Sequence, residues 1–213
     1  MTKNLLVCLI FLLGTGIVSF AQKKPIKIEE ERKSNRLFLN AVNENLIDYD
    51  IAIKVEGTGF RQRKGIPRKV RVPATSKVNL ISLVIERGKE PNYTYTLDVT
   101  DSLSRRAIRK DYEKIKIEPK KAITIYLTEK CVTCDTIVNP LKRSPYKFQS
   151  YVVSENETVK SQLEKAFVGA SVPLSEMKNP VITLDGKMYI HIQSYEDLLM
   201  RLEEEGDPVP IRE

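Results

Sequence analysis

The sequence predicts two domains, an N-terminal antiparallel β-sandwich and then an α/β domain in which helices flank a mixed sheet. Three observations predict this. Before residue 100, short runs of alternating apolar residues are separated by turn formers, and no helical period interrupts them. Beyond residue 120 the rhythm becomes strand, helix, strand, helix, strand, strand, helix. The charge balance also changes sign, from 23 Lys/Arg against 14 Asp/Glu over residues 22–120 to 11 against 14 over residues 121–213. Such a reversal along one chain marks two units with different surfaces.

Residues 1–21 read as a secretory signal. Lys3 supplies the positive start, Leu5 to Phe20 is almost wholly apolar, and Ser19 and Ala21 are the small residues a signal peptidase reads. The rival reading, a membrane anchor, needs about twenty apolar residues, and this run is shorter. Cleavage near Ala21 is therefore expected, leaving a secreted or periplasmic chain with no membrane span. A polar lead-in, residues 22–34, precedes the sandwich assigned to residues 35–118. Its strands are expected around Arg36–Leu39, Tyr49–Val55, Lys69–Val72, Val78–Ile85 and Tyr93–Leu97. Gly57, Gly59, Pro67, Pro73, Gly88 and Pro91 stand between them as turn formers. The charged stretch from Asp101 to Glu113 fits either a short helix or a long connection.

The second domain is assigned to residues 119–205, with a tail over residues 206–213. Ala122–Leu127 and Tyr146–Val153 read as strands. Ser154 with Glu157 reads as a capping box for a helix whose apolar face is Val159, Leu163, Ala166 and Phe167. Val181–Leu184 and Met188–Ile192 read as a hairpin turning at Asp185-Gly186, and Ser194 caps a last helix buried through Tyr195, Leu198, Leu199 and Leu202.

Once the leader is removed, Cys131 and Cys134 are the only sulfhydryls, because Cys8 lies in the leader. Two cysteines are too few for a disulfide framework, so apolar burial must hold the fold. A pair at this spacing closes a small ring that can be reopened, which is redox chemistry rather than stapling. A structural disulfide constrains too little chain to contribute much. Structural zinc usually needs four N or S ligands, whereas the mature chain offers two cysteines and His191, so no metal is expected. One histidine also excludes a Ser/His/Asp arrangement. His191 itself reads as a strand residue rather than an acid–base group.

The strand leading into Cys131-Val132-Thr133-Cys134, the Asn179-Pro180-Val181-Ile182 segment and the Leu184-Asp185-Gly186-Lys187 turn, in that order, resemble the glutaredoxin branch of the thioredoxin fold family. The resemblance covers roughly residues 120–205. It implies a CxxC dithiol at a helix start, with Cys131 as the nucleophile and Cys134, one turn inward, as the resolving thiol. It further implies a cis peptide before Pro180, where the Asn179 backbone pairs with a substrate strand. Lys130 is expected beside the thiolate, opposed by Glu129 and Asp135. Where glutaredoxins carry the glycines on which glutathione docks, this chain has His191-Ile192-Gln193-Ser194. That departure argues against glutathione, and no other cofactor is implied.

The function expected is thiol–disulfide exchange with a protein or small-molecule disulfide. The alternative is a noncatalytic interaction protein in which the thioredoxin-like unit is a scaffold and the sandwich binds a surface partner. The basic run from Arg61 to Arg71 offers an acidic partner a landing point, although such runs are more often solvated hairpins. Nucleic acid is not expected, since interleaved aromatics are missing.

Overall fold

The computed structural model describes residues 23–62 and 65–204. The leader, Cys8, the cleavage site near Ala21 and the tail over residues 206–213 lie outside the described residues. Within them the chain is mostly β-sheet, with three helices and three separate sheets.

In chain order the N-terminal half forms β1 (Lys27–Lys33), β2 (Arg36–Asn43), β3 (Tyr49–Thr58), β4 (Phe60–Arg61), β5 (Val70–Val72), β6 (Ser76–Ile85), β7 (Asn92–Thr100) and β8 (Tyr112–Lys114). One sheet runs β1-β2-β6-β4 with β8 also on β6, and a second runs β5-β3-β7. All these pairings are antiparallel. The alternation of β3 explains the arrangement: Tyr49, Ile51, Ile53 and Val55 point into the core, while Lys54 and Glu56 are exposed. They meet Leu37 and Leu39 of β2 and Val78, Leu80 and Leu83 of β6 in one apolar cluster. Each such side chain contributes about 1.5–3 kcal/mol on full burial.

One element differs from the sequence reading, and one alternative it left open is resolved. The segment taken as a polar lead-in contains β1, an edge strand whose Ile28 packs against the core while its other six residues are all charged. A strand half in water needs few apolar residues, so composition alone hides it. The charged stretch after Asp101 forms no helix. It lies extended, bridging Val70 through Ile108 and sending Lys110 to a bulge in β6. There the register slips between Leu39 and Asn40, leaving Leu80 unpaired. The Lys110 ammonium donates to the Asn79 and Leu80 carbonyls, both at 3.0 Å. Burial lowers its pKa.

The C-terminal half forms β9 (Ile123–Leu127), α1 (Cys134–Arg143), β10 (Gln149–Val152), α2 (Glu157–Ala166), β11 (Val181–Leu184), β12 (Lys187–Tyr189) and α3 (Tyr195–Glu203). Their sheet runs β10-β9-β11-β12, with β10 parallel to β9 and the other pairings antiparallel. Strand alternation sorts the helices onto opposite faces. Ile123 and Ile125 of β9 join Ile182 and Leu184 of β11 under α1 and α3. Val181 of β11 instead joins Leu163 and Phe167 from the α2 region, with Tyr126 against them.

Some details depart from expectation here too. Asn156, not Ser154, caps α2, accepting from the Val159 N–H. Ser154 lies inside a short 3-10 turn, Val153–Glu155, so it is not free to cap. Ala166 is exposed, whereas Leu163 and Phe167 are buried as the spacing requires. Ser194 does cap α3, with Asp197 completing a capping box. The β11–β12 turn has positive φ at both Asp185 (48°) and Gly186 (83°), the backbone that a two-residue hairpin demands.

The halves are joined by residues 115–117. The Ile115 N–H donates to Thr75, while Ile117 exchanges backbone hydrogen bonds with Pro145 and Lys147. The Lys116 ammonium donates to the Lys142 and Ser144 carbonyls at the C-terminal end of α1.

Candidate functional site

Strand β9, interior to the C-terminal sheet, releases the loop from Thr128 to Thr133 at its C-terminal end, where α1 begins. Cys131 and Cys134 are joined by a disulfide, with Cα atoms 5.7 Å apart. The sequence suggested that Cys131 would open the helix. Instead Thr133 is the N-cap and Cys134 the first helical residue, so Cys131 lies in the loop. The disulfide still holds its sulfur at the N-terminal end of α1. Both cysteines are partly buried, so exposure does not separate their roles as expected. Val132 between them is 75% exposed.

A second segment, Met177 to Pro180, lies along this loop in register. The Thr128 hydroxyl donates to the Met177 carbonyl (3.0 Å), the Val132 N–H to the Lys178 carbonyl (2.8 Å), and the Thr133 hydroxyl to Asn179 Oδ1 (3.1 Å). The Asn179 amide donates onward to the Ile190 carbonyl at 3.4 Å. The Thr136 hydroxyl, in the first turn of α1, lies within reach of the Thr133 and Gln193 carbonyls. Chain segments far apart in sequence therefore converge on the disulfide loop.

The loop that carries Cys131 and Cys134 thus meets Met177, Lys178 and Asn179, with Pro180 next in the chain. The peptide before Pro180 is not cis, since no cis peptide occurs among the described residues. Trans is the ordinary state of an X–Pro bond, and Val181 enters the sheet directly opposite Tyr126. Lys130 is exposed and pairs with Glu176 at 2.6 Å, so its charge is compensated beside the loop. Glu129 and Asp135 are exposed carboxylates on either side. His191 lies beyond β12 and is exposed rather than sitting in a strand.

Sequence reasoning missed the contributions of Thr128, Thr133 and Thr136. Threonines are ordinary in loops and caps, and only the fold tells which carbonyl each one meets. Among the described residues no group of three or more His, Cys, Asp or Glu side chains is arranged to hold a metal ion. No helix there is long and apolar enough to cross a membrane.

Of the basic run, Arg63 and Lys64 lie outside the described residues, and the described residues do not all present their charge to solvent. Arg71, on β5, turns inward to Asp50, whose side chain is 0% exposed. Lys69 pairs with Asp98 at 3.1 Å. Arg61 and Arg68 remain exposed.

No protein-family model matches the chain, and neither a curated protein nor a solved structure matches it.

Proposed function

We propose that the chain is a thiol–disulfide oxidoreductase, built as a β-sandwich domain followed by a thioredoxin-like domain of the glutaredoxin type. One observation carries the reading. The Cys131–Cys134 disulfide closes at the exit of a central strand and the entrance of a helix, against the Met177–Pro180 segment that leads into the neighbouring antiparallel strand. The β10-β9-β11-β12 order, with α1 and α3 on one face and α2 on the other, supports the thioredoxin-like assignment.

The chemistry follows from that location. In the reduced protein, the N–H groups at the start of α1 favour negative charge on a sulfur held there. The Cys131 thiolate attacks one sulfur of a client disulfide, and the other client sulfur leaves as a thiolate and takes up a proton. The Cys134 thiol then gives up its proton and attacks Cys131 Sγ. The mixed disulfide breaks, the client leaves as a dithiol, and the Cys131–Cys134 bond is restored. Two electrons and two protons pass to the client, and the reverse sequence oxidises a dithiol.

The client is a protein or a small disulfide, reached in a secreted or periplasmic setting. No cofactor takes part. The test is turnover of a model disulfide together with titration in thiol redox buffers. A potential between about −120 and −270 mV is that of catalytic dithiols. Cys131→Ser is expected to abolish turnover, and Cys134→Ser to accumulate a mixed disulfide. Full turnover by Cys131→Ser, or a bond that such buffers cannot reduce in the folded protein, overturns the assignment and leaves a scaffold.

A further inference from the structure

We propose that β7 is a self-association edge, pairing antiparallel with β7 of a second copy of this chain about a two-fold axis at Thr96. This inference does not depend on the redox reading.

Strand edges offer unpaired backbone groups to other chains, and proteins usually guard them with charges, prolines, bulges or short length. The other edges here follow that rule among the described residues. β1 is Lys27-Ile28-Glu29-Glu30-Glu31-Arg32-Lys33, almost all charge. β4, β5, β8 and β12 are two or three residues long, and β10 has four. β7 is the exception. It spans nine residues, Asn92-Tyr93-Thr94-Tyr95-Thr96-Leu97-Asp98-Val99-Thr100, at the end of the β5-β3-β7 sheet. It has no proline, no lysine and one charge, Asp98, which Lys69 neutralises.

Its inner face is also unfinished. Tyr93 and Leu97 pack on the core that the two sheets share. Tyr95 and Val99 share their side of the strand by period-two alternation, yet each is 41% exposed. An added strand would cover them.

The strand is complementary to itself. Thr96 is its middle residue, so a two-fold axis there overlaps all nine residues and keeps each side chain on its own face. On the inner face Tyr95 meets Leu97 of the second copy, and Tyr93 meets its Val99. On the outer face Thr94 meets Asp98, Asn92 meets Thr100, and Thr96 meets Thr96. These are aromatic–aliphatic and hydroxyl pairs of the kind that stabilise sheets, with no like charges opposed. The two three-stranded sheets would become one of six.

The experiment is sedimentation equilibrium on the full chain, with folding checked by circular dichroism. Wild type is expected to shift from monomer towards dimer as concentration rises through the micromolar range, as suits a small interface. Thr96→Lys opposes two ammonium groups across the axis, and Thr96→Glu opposes two carboxylates. Each variant alone is expected to stay monomeric, and an equimolar mixture to dimerise. Thr96 is exposed, so neither change disturbs the core. If either variant fails to fold, Thr96→Cys in a Cys8→Ser/Cys131→Ser/Cys134→Ser background reports the same register by forming an interchain disulfide when a thiol oxidant such as diamide is added. Wild type that remains monomeric at high micromolar concentration overturns the proposal. So do dimers that survive Thr96→Lys, or cysteines that do not cross-link.

Discussion

The Thr133 hydroxyl lies 3.1 Å from Asn179 Oδ1 rather than over the first turn of α1. Thr133 occupies the N-cap position, yet makes no side-chain capping bond. The residue chemically suited to closing the helix end is turned towards the segment ahead of β11, and the helix opens onto the disulfide without a side-chain cap.

Thr133→Val is isosteric and removes that hydrogen bond alone. Stability is expected to fall by about 0.5–1.5 kcal/mol in urea unfolding of the oxidised protein. If the contact is made only while the disulfide is closed, the same loss raises the reduction potential by roughly 10–30 mV. An unchanged unfolding midpoint would show that the contact is inert.

Asp50 makes a pH-dependent contribution with a definite sign. Burial alone would raise its carboxyl, but the Arg71 hydrogen bond and the Ser104 N–H outweigh it, holding the pKa below the usual value. A carboxyl depressed in the folded state stabilises above its unfolded pKa of about 3.9, and that contribution fades as pH falls towards the folded value. Asp50→Asn should therefore flatten the acid limb of a melting-temperature profile below about pH 4. At neutral pH it leaves Arg71 without its anion, an effect of up to about 3–5 kcal/mol for a buried pair. Arg71 is 16% exposed, which moves the expectation to the lower end.

Gly59 has φ +82°, and a Cβ there would stand 2.4 Å from the Glu90 carbonyl oxygen. Gly88 has a similar φ of +75° with open space around it. Gly88→Ala should therefore cost only the left-handed strain, about 1–2 kcal/mol. Gly59→Ala should cost measurably more, because backbone has to move. Equal unfolding midpoints for the two variants would contradict this.

Lys116→Met keeps the aliphatic stem but removes the ammonium from the Lys142 and Ser144 carbonyls. A loss of about 1–2 kcal/mol is expected, given that the lysine is exposed. Hydrogen exchange should quicken in the last turn of α1. An exchange pattern identical to wild type would rule out this role.

What the sequence disclosed follows from the range of the forces involved. The Ser194 cap, the Asp185-Gly186 turn and the Leu198/Leu202 face are decided by residues a few places apart, so pattern reading reaches them. β1 escaped because Glu29, Glu30 and Glu31 suggest solvent, and only the neighbouring β2 makes a strand of them. Ser154 and Asn156 are both good caps, and their choice depends on where β10 releases the chain. For the candidate site, the cysteine pair was legible at once. Its attachment to Met177, Lys178 and Asn179 was not, because it depends on two loops meeting across about fifty residues of chain. The cis form at Pro180 came from likeness to a family rather than from any local requirement, and the backbone is trans.

The short connection at Ile115–Ile117 is anchored on both sides, at Thr75 and at Pro145 and Lys147. Only Lys116 stands between those two anchors, so the connection leaves little length of chain about which the halves could swivel. On the redox reading proposed above, Cys131 would ride on a short strut rather than a leash, and a client would have to be shaped to come to it.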